Sequence, residues 1–112
     1  MQQVSVRDVG ALLASLPAGS APVLLDVREP WEVQHAPLSI EGLRTVCIPM
    51  QEISHRMGEL APSQPILGLC HHGMRSLQVV AFLERQGYTS LYNIAGGIAA
   101  WAHEVDASVP TY

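Results

Sequence analysis

Apolar residues in this chain gather in two ways. Some form short continuous runs and others recur at helical spacing. Four continuous runs predict strands over about 23–27 ("APVLLDV", entered through Pro22), 45–48 ("LRTVCIPM", stopped by Pro49), 66–69 ("PILGLC") and 91–94 ("SLYNIAGG"). None of them alternates apolar with polar residues. Unbroken apolar strands suit a sheet covered on both faces, as parallel sheets are.

Helical spacing fills the segments between. "VRDVGALLASL" places Val9, Leu12, Leu13 and Leu16 on one face, with Ser5 or Asp8 as candidate caps. "EPWEVQHA" is a short helix opened by Pro30, which a first turn tolerates. "QEISHRMGEL" is expected as one helix with Ile53, Met57 and Leu60 on its apolar side. "RSLQVVAFLERQG" has the widest apolar arc, a polar strip through Gln78 and Arg85, and Gly87 as its stop. "GGIAAWAHEV" is the last helix, with Trp101 facing inward, and "DASVPTY" is an extended strap. Strands alternating with helices imply crossover connections, hence an α/β fold with a mainly parallel sheet. Binding sites in such sheets form where strand carboxyl ends meet helix amino ends. Three junctions of that kind carry unusual residues: "DVRE" at 26–29, "CHHGMRS" at 70–76 and "AGGI" at 95–98.

Composition narrows the picture. The chain has 112 residues, 48% hydrophobic and 14% charged, which suits one folded domain over 1–112 rather than disorder. It carries no lysine, its six basic residues are scattered arginines and its net charge is −4, so a nucleic-acid partner is not expected. No apolar run reaches membrane-spanning length and "MQQVSVRDVG" does not have the form of a signal peptide, so the expected setting is the cytoplasm, away from membranes. There at least one of the two cysteines, Cys47 and Cys70, is expected to be reduced.

Cys70 stands at the junction that asks most of its surroundings. A free thiol with a pKa of about 8.5 is largely protonated at neutral pH. Making it mostly thiolate takes about two to three pKa units, or about 3–4 kcal/mol. A helix amino end supplies about 0.3–1 kcal/mol, at most about 2. Inward-facing loop N–H groups and the charge of Arg75 are candidates for the remainder, with Gly73 allowing the tight turn. Residues 70–75 are therefore expected to form a small anion cradle that holds a nucleophile. His71 and His72 beside the thiol suggest metal ligands, but adjacent side chains in a tight turn are expected to diverge. No Cys-x-x-Cys or His-x-x-x-His spacing accompanies them, so neither a metal nor a cofactor is expected. His35, His55 and His103 are expected at the surface, and Cys47, mid-strand beside Pro49, in the core.

"CHHGMRS" resembles the active-site loop of the rhodanese family of sulfurtransferases. "LLDVREPWE" resembles the family's segment after its second strand, and "YNIAGGIAAW" its last strand and glycine turn. The blocks lie in the family's order and cover nearly the whole chain, most like stand-alone bacterial rhodaneses. One stretch departs: the family often has His-Ile-x-Gly-Ala before its third strand, where this chain reads "HAPLSIEGLRTVCIPM".

The resemblance implies about five strands with helices on both faces. It also implies that Cys70 attacks the outer sulfur of a donor such as thiosulfate and holds it as a persulfide. Cyanide or a thiol then accepts the sulfur, and a sulfur-relay protein is a further candidate partner. Gly73, Arg75 and the loop amides would bind the donor, while His71, His72 and Met74 would line the mouth. Ser76, Asp26 and Arg28 would support the loop; for Asp26 and Arg28 an ordinary helix cap and surface ion pair is the competing reading. Gly96 and Gly97 would allow close backbone approach. Two other functions compete. Rhodanese-like binding modules typically lack the cysteine that this chain keeps, which leaves a persulfide carrier as the nearer rival. Cysteine phosphatases and arsenate reductases use Cys-x5-Arg, whereas four residues separate Cys70 from Arg75, a loop better sized for one sulfur atom than for a phosphate.

Overall fold

A computed structural model describes residues 1–112. Five strands form one sheet: β1 (Gln2–Ser5), β2 (Val23–Asp26), β3 (Arg44–Cys47), β4 (Ile66–Leu69) and β5 (Leu91–Ala95). Every pairing is parallel, in the order β1-β5-β4-β2-β3. The connecting helices are α1 (Val9–Ser15), α2 (Pro30–His35), α3 (Ile53–Arg56), α4 (Met74–Arg85) and α5 (Gly97–Glu104).

The period of two within each strand divides the core between the two faces. Val23, Leu25 and Ile66 face one side and pack with Ile53, Val79, Val80 and Leu83 of α3 and α4. Leu24, Leu67 and Leu69 face the other side with Val9, Ile98 and Ala36. This is why the inner strands are unbroken apolar runs: both faces are dry.

β1 lies outside the four strands predicted from apolar runs. It reads Gln-Gln-Val-Ser and only Val4 is buried, as fits an edge strand with one covered side. The stretch expected as one helix over "QEISHRMGEL" is instead a 3-10 turn (Met50–Glu52), the single turn α3 and another 3-10 turn (Met57–Glu59). A tertiary contact accounts for the break. The Tyr88 hydroxyl lies 3.1 Å and 3.0 Å from the carbonyl oxygens of Met57 and Leu60, diverting acceptors that a continuing helix would arrange otherwise. At the first helix, Ser5 accepts from the Arg7 amide and caps a 3-10 turn (Val6–Asp8), whereas the Asp8 side chain caps nothing. In the departing segment before β3, Leu38 is buried and Ile40 and Leu43 pack against the core of the α5 face. No helix is long and apolar enough to cross a membrane.

Candidate active site

Three strand ends, those of β2, β4 and β5, deliver the site to one edge of the sheet. β4 ends at Leu69, and Cys70 follows as a buried residue. The chain then turns through Gly73, whose φ of 96° is left-handed backbone, and enters α4 at Met74. That turn points amides back at the sulfur. Gly73 N–H donates to Cys70 Sγ at 3.1 Å, Ser76 N–H at 3.4 Å and the Ser76 hydroxyl at 3.3 Å. Ser76 is itself fully buried, so these donors have no water to turn to instead.

The loop is gripped from behind by the last β-α junction. Ile98 N–H donates to the Cys70 carbonyl at 2.9 Å and Ala99 N–H to the His71 carbonyl at 3.0 Å. Gly97 makes this approach possible: a Cβ there would lie 2.4 Å from the Cys70 oxygen. Gly97 thus serves the close backbone approach that the resemblance implies, whereas a Cβ on Gly96 would meet the Ala100 side chain instead. From β5 the buried Asn93 Nδ2 donates to the Gly73 carbonyl at 3.0 Å, and its Oδ1 has no partner.

Charge is arranged differently from the sequence-based expectation. The Arg75 guanidinium is not directed at the sulfur. It donates to both oxygens of Glu32, at 2.7 Å and 2.8 Å. This bidentate pair, together with the Glu29 amide and the Tyr112 hydroxyl, outweighs burial and holds the Glu32 carboxyl down at about 2. The same carboxylate raises the Arg75 pKa above its ordinary value.

Asp26 and Arg28 are not a surface ion pair. Arg28 is fully buried, donating through Nε at 2.9 Å and a terminal nitrogen at 2.8 Å to the two Asp26 oxygens. Its remaining donors reach the Ala36 carbonyl at 2.9 Å and the Tyr112 oxygen at 3.1 Å. Burial opposes the Arg28 charge, but these acceptors overcome it and raise its pKa.

Tyr112 is the residue that sequence reasoning missed most completely. Residues 109–112 return from α5 to the loop. The Tyr112 hydroxyl accepts from Arg28 and donates to Glu32 at 3.0 Å, joining the two ion pairs. Its ring stacks on His71, which stacks in turn on His72 with centroids 3.9 Å apart. The two histidine rings therefore do not diverge, because Tyr112 provides a flat surface that aligns them. Burial, and then the neighbouring His72, push the His71 imidazole below its ordinary value. Met74 stands open at the rim.

Cys47 also departs from expectation. β3 is an edge strand, so the thiol is exposed rather than in the core, beside a groove of about 380 Å³ that Arg28, Gln34 and Arg56 help to line. Partial burial and the nearby Asp26 carboxylate push its pKa up.

Glu32 and Asn93 also went unassigned in the sequence. Asn93 leaves a trace, being a polar residue inside an apolar strand. Glu32 is legible only as the last residue of the capping box Glu29-x-x-Glu32, and its pairing with Arg75 is not local.

Residues 9–104 match the Rhodanese-like domain family. This chain belongs to the rhodanese-like family. Among relatives, it is 40% identical over 93 residues to the Rhodanese-like/PpiC domain-containing protein 12, chloroplastic, of Arabidopsis thaliana. That match covers 80% of this chain but only 30% of the longer plant protein. It is 36% identical over 80 residues to a sulfurtransferase of Allochromatium vinosum, covering 71% of each. A rhodanese-related protein from Thermoplasma volcanium has the same fold, with a TM-score of 0.75, 28% identity and 94% of each chain covered. The three junctions of this rhodanese-like domain are thus set on a scaffold it shares with proteins named for sulfur transfer.

Proposed function

We propose that this chain is a sulfurtransferase working through a persulfide on Cys70. The observation that carries the reading is the convergence of two amides and a hydroxyl on one buried sulfur. Donors fixed in that geometry suit an anionic sulfur before the reaction and a charged terminal sulfur after it. With thiosulfate as donor, the Cys70 sulfur attacks the outer sulfur, the S–S bond breaks and sulfite leaves with the electron pair. In the second step a thiol, or cyanide in an assay, attacks the terminal sulfur and the Cys70 thiolate departs. This is two-step covalent catalysis. Gly73 and Ser76 hold the sulfur, while Asn93, Asp26 and Arg28 keep the loop and its neighbours in place. His71, His72 and Met74 border the entrance. The chemistry runs through a free thiol, so a reducing compartment such as the cytoplasm suits it, and residues 1–112 act as one unit.

Mass spectrometry tests this reading. After incubation with excess thiosulfate, the peptide containing Cys70 gains one sulfur atom, and cyanide removes it. A Cys70 peptide left unmodified by thiosulfate and by an organic persulfide alike would refute the proposal. Loading without catalytic turnover would point to a persulfide carrier instead.

A further inference from the structure

Four charged side chains, Asp26, Arg28, Glu32 and Arg75, surround the loop, and their charges sum to zero. Three of them are buried with their polar atoms engaged inside the protein. Only Arg75 reaches solvent, with its side chain 34% exposed, and both its terminal nitrogens are held by Glu32. No other strong cation is available to replace it. Arg7 pairs with Glu104, and Arg56 pairs with Glu52 and Glu59. Arg44 opens β3 at the opposite end of the sheet, Arg85 closes α4 and the chain has no lysine. The mouth therefore presents a compensated dipole where a doubly charged donor would need a free positive charge.

The rim points the same way. Trp31, next to Glu32 in sequence, is 63% exposed, and Met74, next to Arg75, is 65% exposed. The Trp31 ring stands edge-on to Tyr112, with centroids 5.8 Å apart. An exposed indole and an exposed thioether suit the organic portion of a donor better than sulfonate oxygens.

We infer that Glu32 is a specificity-determining residue that cancels Arg75 at the mouth, and so turns the site from dianionic thiosulfate toward organic persulfides, R–S–SH. This rests on the sulfur-transfer reading above and names the donor class for it. The Cys70 thiolate attacks the outer sulfur of R–S–SH, the bond between the two donor sulfurs breaks and R–S⁻ leaves with the electron pair. The proton stays on the transferred sulfur, giving Cys70–S–SH. No second negative charge has to enter or leave.

The test is the rate of Cys70 persulfide formation, read by quenched mass spectrometry with thiosulfate and with cysteine persulfide, at rising ionic strength. In the wild-type protein the thiosulfate rate changes by less than about twofold as salt rises, because no uncompensated charge is screened. Glu32→Gln keeps the capping box and uncovers the Arg75 charge. The ratio of thiosulfate rate to persulfide rate then rises about fivefold at low salt and declines as salt is added. A wild-type thiosulfate rate that falls steeply with salt would overturn the inference. So would a folded Glu32→Gln protein whose ratio is unchanged or lower. If that variant does not fold, the wild-type salt series decides alone. Absence of sulfur gain from either donor would instead remove the sulfur-transfer reading beneath it.

Discussion

The Tyr112 ring lies flat on the His71 imidazole, with centroids 3.9 Å apart and planes 13° from parallel. A residue beyond the last helix thus forms part of the wall beside the Cys70 loop. Burial pushes the Tyr112 phenol up, so the hydroxyl stays protonated and donates to Glu32 while it accepts from Arg28. Tyr112→Phe keeps the ring and removes that bridge, leaving a terminal nitrogen of Arg28 with only the Glu32 carbonyl at 3.4 Å. The expected cost is about 1–2 kcal/mol, or a drop in Tm of about 5 °C in a thermal melt. Tyr112→Ala also uncovers His71, whose pKa should rise toward its ordinary value in an NMR titration, since burial is the main cause of its depression.

Ser76 supplies two of the three donors to Cys70 Sγ, and its hydroxyl can be removed without disturbing its amide. Ser76→Ala is expected to slow persulfide formation about tenfold, the range of one hydrogen bond to a charged atom. Stopped-flow measurement with saturating donor isolates this step from acceptor turnover.

The two thiols should separate cleanly. Cys70→Ser abolishes sulfur transfer. Cys47→Ser retains at least about half the activity, because its pKa is raised and it lies on the edge strand, with β2 between it and β4. Steady-state rates of the two variants with one donor and one acceptor check both statements.

Gly97 tests the grip on the loop. Its φ is 61°, and a Cβ would lie 2.4 Å from the Cys70 carbonyl oxygen and 2.5 Å from that of His71. Gly97→Ala should cost more than about 2 kcal/mol and displace the loop, with loss of activity. Gly58→Ala, where a Cβ meets nothing within 4 Å, should leave stability and activity nearly unchanged. Chemical denaturation of the two variants compares them directly.

Glu32 makes the fold sensitive to acid. Arg75 holds its pKa at about 2, below the unfolded carboxyl value of 4.5, so the folded state binds fewer protons. The stabilisation is complete above pH 4.5 and is lost as pH falls toward about 2. Its size is about 1–2 kcal/mol once solvent screening at the partly exposed Arg75 is allowed for. Urea melts between pH 6 and pH 2 should show that loss, and Glu32→Gln should flatten it.

Much of the molecule is legible in local patterns. The unbroken apolar runs at Val23–Asp26 and Ile66–Leu69 declare strands covered on both faces, and both are inner strands. Pro30, Gly73 and Gly97 mark the places where the backbone must turn. Cys70, Gly73 and Ser76 lie within one turn of chain, so their convergence could be anticipated from spacing. Where apolar signal was thin, as in β1, or where a distant side chain intervened, as Tyr88 does after α3, the pattern misled.

The charge balance of the site belongs to the other class. Arg75 looked like a free cation beside a thiol. Its partner Glu32 lies 43 positions away, and Tyr112, which ties Glu32 to Arg28, lies 80 positions beyond Glu32. Helical period, turn chemistry and capping depend on neighbours along the chain, so a sequence displays them. Which carboxylate neutralises a given guanidinium depends on which strand ends the sheet order sets side by side, and only the folded chain brings them together.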